Sequence, residues 1–64
     1  MFLELTLYST DKKILININN ISTIFSQEWE NKTIILVGGT MYAVKESYEA
    51  IAKAINTWDR LVNG

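Results

Sequence analysis

The chain of 64 residues contains no cysteine, no histidine and no proline, and only three glycines. Without cysteine it has no disulfide bonds, and without cysteine and histidine it lacks the usual ligands of a structural zinc ion. The commonest general base and the thiol nucleophiles are missing for the same reason. Small domains commonly rely on such reinforcements, so we expect this one to gain stability by oligomerisation.

The chain also lacks an excess of charge of either sign, since seven acidic and six basic residues give a net charge of −1. Such a balance provides no attraction to a polyanion or an acidic lipid surface, and nucleic acid is disfavoured as a partner. No apolar run approaches the roughly 20 residues that span a bilayer, and the N-terminus MFLELTLYSTDKK has no secretion signal. We therefore expect a cytoplasmic protein with no membrane insertion.

What is present is a strong hairpin signal in the second half of the chain. Residues 33–37 and 40–44 are apolar runs separated only by Gly38 and Gly39, which supply the positive φ angles of a type I′ turn. The turn fixes a register that pairs Val37 with Thr40, Ile35 with Tyr42, Thr33 with Val44, Leu36 with Met41 and Ile34 with Ala43. Both faces of this hairpin are apolar, and one helix covers only one of them.

Three earlier segments predict further strands. Residues 2–8 and 13–18 alternate with the period of a half-buried strand and are joined by a polar turn. A corner at Asn19 and Asn20 leads to a third strand over residues 21–26, whose phase is ambiguous.

The last segment predicts an amphipathic helix over residues 48–62, with Ser47 as its N-cap. Its core-facing stripe is predicted to be Tyr48, Ile51, Ile55, Trp58 and Val62. These elements together predict one α+β domain over residues 1–64. Its five antiparallel strands form a meander, a curled sheet or half barrel, with the C-terminal helix on the concave face.

The uncharged hairpin also predicts self-association. Edge strands of monomeric proteins are usually guarded by lysine, proline or a bulge. Here the guards sit only at the ends, at Lys32 and Lys45, which should lie opposite each other. We expect a homodimer or higher oligomer, formed through a strand edge or through the second apolar face at Ile34, Leu36 and Met41.

The charged segment 27–32, QEWENK, contains one aromatic residue, Trp29. Trp29 either folds back over the sheet edge or contacts a partner, because tryptophan is enriched at interface hot spots. The second interpretation predicts a protein-binding site made of Glu28, Trp29, Glu30 and Lys32. Acids two residues apart in a polar loop are usually solvated, so we expect no catalytic, metal or cofactor site and no enzyme.

Three groups of residues form a recurring pattern, namely Ile18, Asn19 and Ile21 to Ile24 at the corner, Tyr42 with Val44, Lys45, Glu46 and Ser47 around a VKES tetrad, and Ile51 and Ile55 in the helix. With these residues, nearly the whole chain resembles the small FlbD/SwrD family of flagellar and swarming-motility proteins. The alanine-rich helix EAIAKAI, its extension INTWDRLVNG and the QEWENK loop depart from the family pattern. The resemblance implies a non-enzymatic bacterial or phage accessory protein that acts by contact with a larger protein machine.

A second likeness is to the β-rich LytTR-type DNA-binding domains, which implies a nucleic-acid-binding regulator as the alternative function. Such domains need a basic surface. This chain spreads its loop lysines, namely Lys12, Lys13, Lys32 and Lys45, among neighbouring acids. The leading hypothesis is therefore a small protein-protein interaction module.

Overall fold

The computed structural model describes residues 1–63, with side chains described for residues 1–57. The elements in chain order are β1 (Phe2–Thr6), β2 (Lys13–Asn17), a 3-10 turn (Ile18–Asn20), β3 (Ile21–Gln27), a second 3-10 turn (Glu28–Glu30), β4 (Lys32–Val37), β5 (Thr40–Val44) and α1 (Tyr48–Asn63). The predicted α+β class, with five antiparallel strands and a C-terminal helix, is confirmed.

The strands form two sheets, and this corrects the prediction of one continuous meander. β1 pairs with β2, and β4 lies between β3 and β5. Between β2 and β3 the chain turns through Ile18–Asn20, where the Asn17 side chain accepts a hydrogen bond from the Asn19 N–H at 3.0 Å. This local bond favours a turn over continued strand pairing.

The two sheets meet where β1 and β5 end. Leu7 forms a bridge with Val44. On either side of it the Tyr8 N–H donates to the Ala43 carbonyl and the Lys45 N–H donates to the Thr6 carbonyl, both at 2.9 Å. The end of β1 therefore partly covers the side of β5 that faces away from β4.

The β4–β5 hairpin has the predicted turn and the predicted register. Gly38 and Gly39 have φ angles of 54° and 86°. All five predicted pairs, from Thr33 with Val44 to Val37 with Thr40, are present. The face of this hairpin that packs on the core, its inner face, carries Ile35. The opposite, outer face carries Ile34.

One hydrophobic core joins both sheets and the helix. Its buried members come from four strands and α1, namely Leu5, Ile16, Ile35, Val44 and Ile51. β3 adds Ile21 and Ile24, which are partly buried against the same cluster. Each fully buried aliphatic side chain contributes about 1.5–3 kcal/mol relative to exposure.

The helix begins as predicted at Tyr48, and the Ala50 N–H donates to the Ser47 hydroxyl at 3.1 Å. Ile51 is 1% exposed, which confirms it as a core residue. Tyr48 is 40% exposed, so its predicted core position is wrong. It lies in the first turn, beside a polar depression lined by Asn31 and Lys45. The predictions for the side chains at positions 58 and 62 lie outside the described side chains.

Candidate protein-interaction site

The predicted binding segment is a structured hairpin loop between β3 and β4. Gln27 ends β3, Glu28–Glu30 form a 3-10 turn, and Asn31 is left-handed with a φ of 56°. The Asn31 N–H donates to the Glu28 carbonyl at 3.2 Å, which closes the turn. Asparagine tolerates this backbone conformation better than most residues, so the local sequence suits the loop.

Bonds within the chain hold two of the four predicted binding residues. The Lys32 ammonium lies 3.1 Å from a Glu30 carboxylate oxygen, and the Gln27 amide donates to the other oxygen at 2.9 Å. The Tyr8 hydroxyl donates to the Glu30 carbonyl at 3.3 Å, and the Lys32 ammonium lies 5.1 Å from the centre of the Tyr8 ring. Glu30 and Lys32 thus position the loop against the end of β1.

Trp29 projects from this loop with 86% of its surface exposed. The interpretation that it folds back over the sheet edge is therefore wrong. Trp29 instead lines a shallow depression together with Phe25 and Glu28. The loop exposes its one large aromatic side chain, while Glu30 and Lys32 anchor it.

Phe25 is a candidate contact residue that the sequence did not reveal. It is 42% exposed and pairs with Ile34, which places it on the outer face of the sheet. Its phase was ambiguous because the β3–β4 register shifts between Ile21 and Thr23. This bulge lets Ile21 and Ile24, three residues apart, both pack against the core.

The residues predicted for self-association are only partly on the surface. Met41 is 63% exposed and Leu36 is half-buried, but Ile34 is only 5% exposed. Ile34 lies in the central strand of its sheet, between Phe25 and Ala43. Because neighbouring strands cover it on both sides, Ile34 is not available for contact in the single chain, which corrects that prediction.

The two predicted guard residues, Lys32 and Lys45, do not guard an edge, because β4 is a central strand. They border the same depression at the end of the hairpin. Lys32 pairs with Glu30, and Lys45 pairs with Asp11. Both charges are used inside the chain. Because the end of β1 partly covers the outer side of β5, the free edge of this sheet belongs to β3.

Glu46 forms the most connected polar site in the described part of the chain. Its carboxylate accepts from the Thr6 N–H and the Thr6 hydroxyl, each at 2.8 Å, while its carbonyl accepts from the Thr33 hydroxyl at 2.7 Å. Lys13 donates to the Thr6 hydroxyl at 2.8 Å. Burial raises the pKa of Glu46, but the bonds from Thr6 and the charge of Lys13 outweigh it and leave the pKa lowered. Glu46 joins the two sheets.

The residues of the VKES tetrad have structural roles in this chain. Val44 is fully buried, Lys45 and Glu46 bind the first sheet, and Ser47 caps the helix. Membership in the FlbD/SwrD family stays a prediction.

The fold and this loop define a small α+β protein with an exposed aromatic hairpin loop. Comparison with models of protein families, with curated proteins and with solved structures found no significant match. Among the residues that the structure describes, no helix is long and apolar enough to cross a membrane.

Proposed function

We propose that this chain is a small, non-enzymatic, cytoplasmic protein-protein interaction module of bacterial or phage origin, in the manner of the FlbD/SwrD proteins. It binds a larger protein through the loop at residues 27–32, and it self-associates. The observation that carries the proposal is Trp29, which is 86% exposed on a loop that intrachain bonds hold in place.

The energetic argument rests on the size and the placement of this side chain. An aromatic side chain buries roughly 150–250 Å² when it is fully covered, which at about 25 cal/mol per Å² amounts to roughly 4–6 kcal/mol before ordering costs. Those costs are reduced here because the turn at Glu28–Glu30 is already formed. Trp29 therefore has the properties of an interface anchor.

Charge around Trp29 indicates the chemistry of the partner. Glu30 is paired with Lys32, while Glu28 takes part in neither of the two ion pairs of the described residues. Glu28 borders the same depression as Trp29. A partner surface with an apolar pocket and a basic rim complements this arrangement.

The proposal includes a half-barrel arrangement of the two sheets. The Leu7–Val44 bridge, which joins β1 to β5, and the single core that both sheets share support it. In such an arrangement the helix covers the inner side, so contacts with other proteins fall on the outer face and on the loop.

Affinity capture with three baits tests the function: the wild-type chain, Trp29→Ala and Phe2→Ala. Phe2 is the matched control because it is 61% exposed on β1, away from the loop. The expected partner is a protein retained by the wild type and by Phe2→Ala but lost with Trp29→Ala. Binding of the purified partner should then weaken by at least about tenfold in Trp29→Ala, as for an interface hot spot.

Equal binding of that partner by all three baits contradicts the proposal. Tight binding of a labelled oligonucleotide, falling steeply with salt, would support the nucleic-acid-binding regulator instead.

A further inference from the structure

We propose that the outer edge of β3 pairs with β3 of a second copy, antiparallel and centred on Phe25. The inference rests on the self-association part of the proposed function and specifies the surface that performs it. It follows from the composition of β3, the direction of its free backbone groups and the side chains that the pairing brings together.

Over residues 23–27 the outer edge of β3 has no charge, no proline and no bulge, three features that commonly prevent pairing. In the described part of the chain, β3 pairs only with β4, and its sequence ISTIFSQ contains no charge and no proline. β2, which among the described residues pairs only with β1, carries the charged Lys13. The bulge near Ser22 disrupts the start of β3, so the regular part of the edge is residues 23–27.

The hairpin turn determines which backbone groups of β3 point outward. In a two-residue I′ hairpin the residues flanking the turn form a hydrogen-bonded pair, here Val37 with Thr40. By alternation along β4, the residues that face β3 include Ile34, the partner of Phe25. Ile24 and Ser26 therefore direct their N–H and C=O groups away from the sheet.

These outward groups are complementary to those of an identical strand. With the symmetry axis at Phe25, Ile24 of each copy lies opposite Ser26 of the other, and the two exchange hydrogen bonds. Phe25 then lies opposite Phe25 in a non-hydrogen-bonded pair, where the Cα atoms are about 4.5 Å apart and side chains are closest. Thr23 lies opposite Gln27, so no like charges meet.

Pairing in this register would also cover exposed apolar surface. Phe25, 42% exposed in the single chain, would pack against Phe25 of the second copy on the same face of the continuous sheet. The 3-10 turns Glu28–Glu30 would extend past opposite ends of the paired strands. One dimer would then present two Trp29 side chains, on the order of 25 Å apart at about 3.4 Å per residue.

Disulfide trapping tests the register without interference, because the chain has no cysteine of its own. Phe25→Cys should form a covalent dimer rapidly under mild oxidation at micromolar concentration, since disulfides need Cα atoms about 4.4–6.8 Å apart. Thr23→Cys alone and Gln27→Cys alone should not, because each lies four residues, or about 13 Å, from its own equivalent. An equimolar mixture of these two variants should cross-link.

A backbone substitution provides a second test. Ser26→Pro removes only an outward N–H, so it should leave the β3–β4 ladder intact and convert the dimer to a monomer. Ser26→Ala keeps the N–H and is the matched control, which should remain dimeric. Sedimentation measures the mass, and circular dichroism verifies the fold of both variants.

Three results would overturn the inference. These are a monomeric wild type, equal cross-linking at positions 23, 25 and 27, and a dimer that persists in folded Ser26→Pro. In the last case the chain associates through another surface, so the self-association in the proposed function survives. The Trp29 capture experiment is independent of all three results.

Discussion

The loop at residues 27–32 and the junction at residues 44–47 are both rich in charged and polar side chains, yet they differ in what they leave exposed. In the junction, Val44 is fully buried and Glu46 bonds to Thr6 across the sheets. In the loop, Glu30 and Lys32 also bond internally, but Trp29 is 86% exposed. Charged side chains stabilise the structure of both segments, and the exposed Trp29 is what distinguishes the loop from the junction.

The largest effect on stability is expected in the hydrophobic core, to which Val44 of the junction belongs. Ile35→Ala removes a fully buried side chain and should lower the free energy of unfolding by about 2–5 kcal/mol. A single core in a domain of this size rarely supplies more than about 3–5 kcal/mol, so the variant should be largely unfolded at room temperature. Urea denaturation measures the change. Thr40→Ala, at an exposed position of β5, is the control and should change stability little.

Trp29→Ala should produce the opposite result, with binding weakened and stability retained. Because little of Trp29 is buried, the melting temperature should stay within a few degrees of the wild type, as thermal denaturation followed by circular dichroism would show. A collapse of stability in this variant would place Trp29 in the core and end the distinction between the two segments.

Glu46→Gln should weaken the junction and leave the loop unchanged. It removes the charge that accepts two bonds from Thr6, and hydrogen bonds to charged groups contribute about 1.5–3 kcal/mol each when well buried. Glu46 is only partly buried, so a loss of about 1 kcal/mol is expected from urea denaturation. An unchanged midpoint would show that Glu46 does not join the sheets.

The same site predicts a pH dependence. The pKa of Glu46 is lower in the folded chain than its ordinary value of 4.5, so its stabilising contribution is fully present above that value. The contribution is lost as the pH falls through the lowered pKa. Unfolding curves between neutral and acidic pH should therefore converge for the wild type and Glu46→Gln, and parallel curves would contradict this assignment.

The smallest effect is expected from the ion pair within the loop. Glu30→Gln replaces a partly exposed partner of Lys32, and such surface pairs contribute about 0–1 kcal/mol. Stability should hardly change, whereas partner binding should weaken moderately because the loop is less well positioned. Binding unchanged within error would mean that the turn alone positions Trp29.

Local signals in the sequence were sufficient for the hairpin and for the helix start. Gly38 and Gly39 define the turn, and Ser47 defines the cap, because both depend on neighbouring residues only. The division into two sheets and the bond between Thr6 and Glu46, 40 residues apart, depend on long-range packing. The spacing of apolar residues along the chain does not reveal either of these features.

The candidate site was predictable in position but not in geometry. The composition of residues 27–32 singled out Trp29, but neither its exposure nor the bonds of Glu30 to Gln27 and Lys32 could be predicted from composition. Phe25 was missed because a bulge shifts the phase of β3. Ile34 was misassigned because an apolar face that looks open in a two-stranded hairpin is covered once β3 is added.

The most direct measurement is collisional quenching of Trp29 fluorescence. Trp58→Phe leaves Trp29 as the sole tryptophan, and acrylamide is titrated into this variant alone and in complex with the captured partner. The structure predicts free quenching in the isolated chain and strong protection in the complex. Protection in the isolated chain, or equal quenching in both, would contradict the assignment of Trp29 as the contact residue.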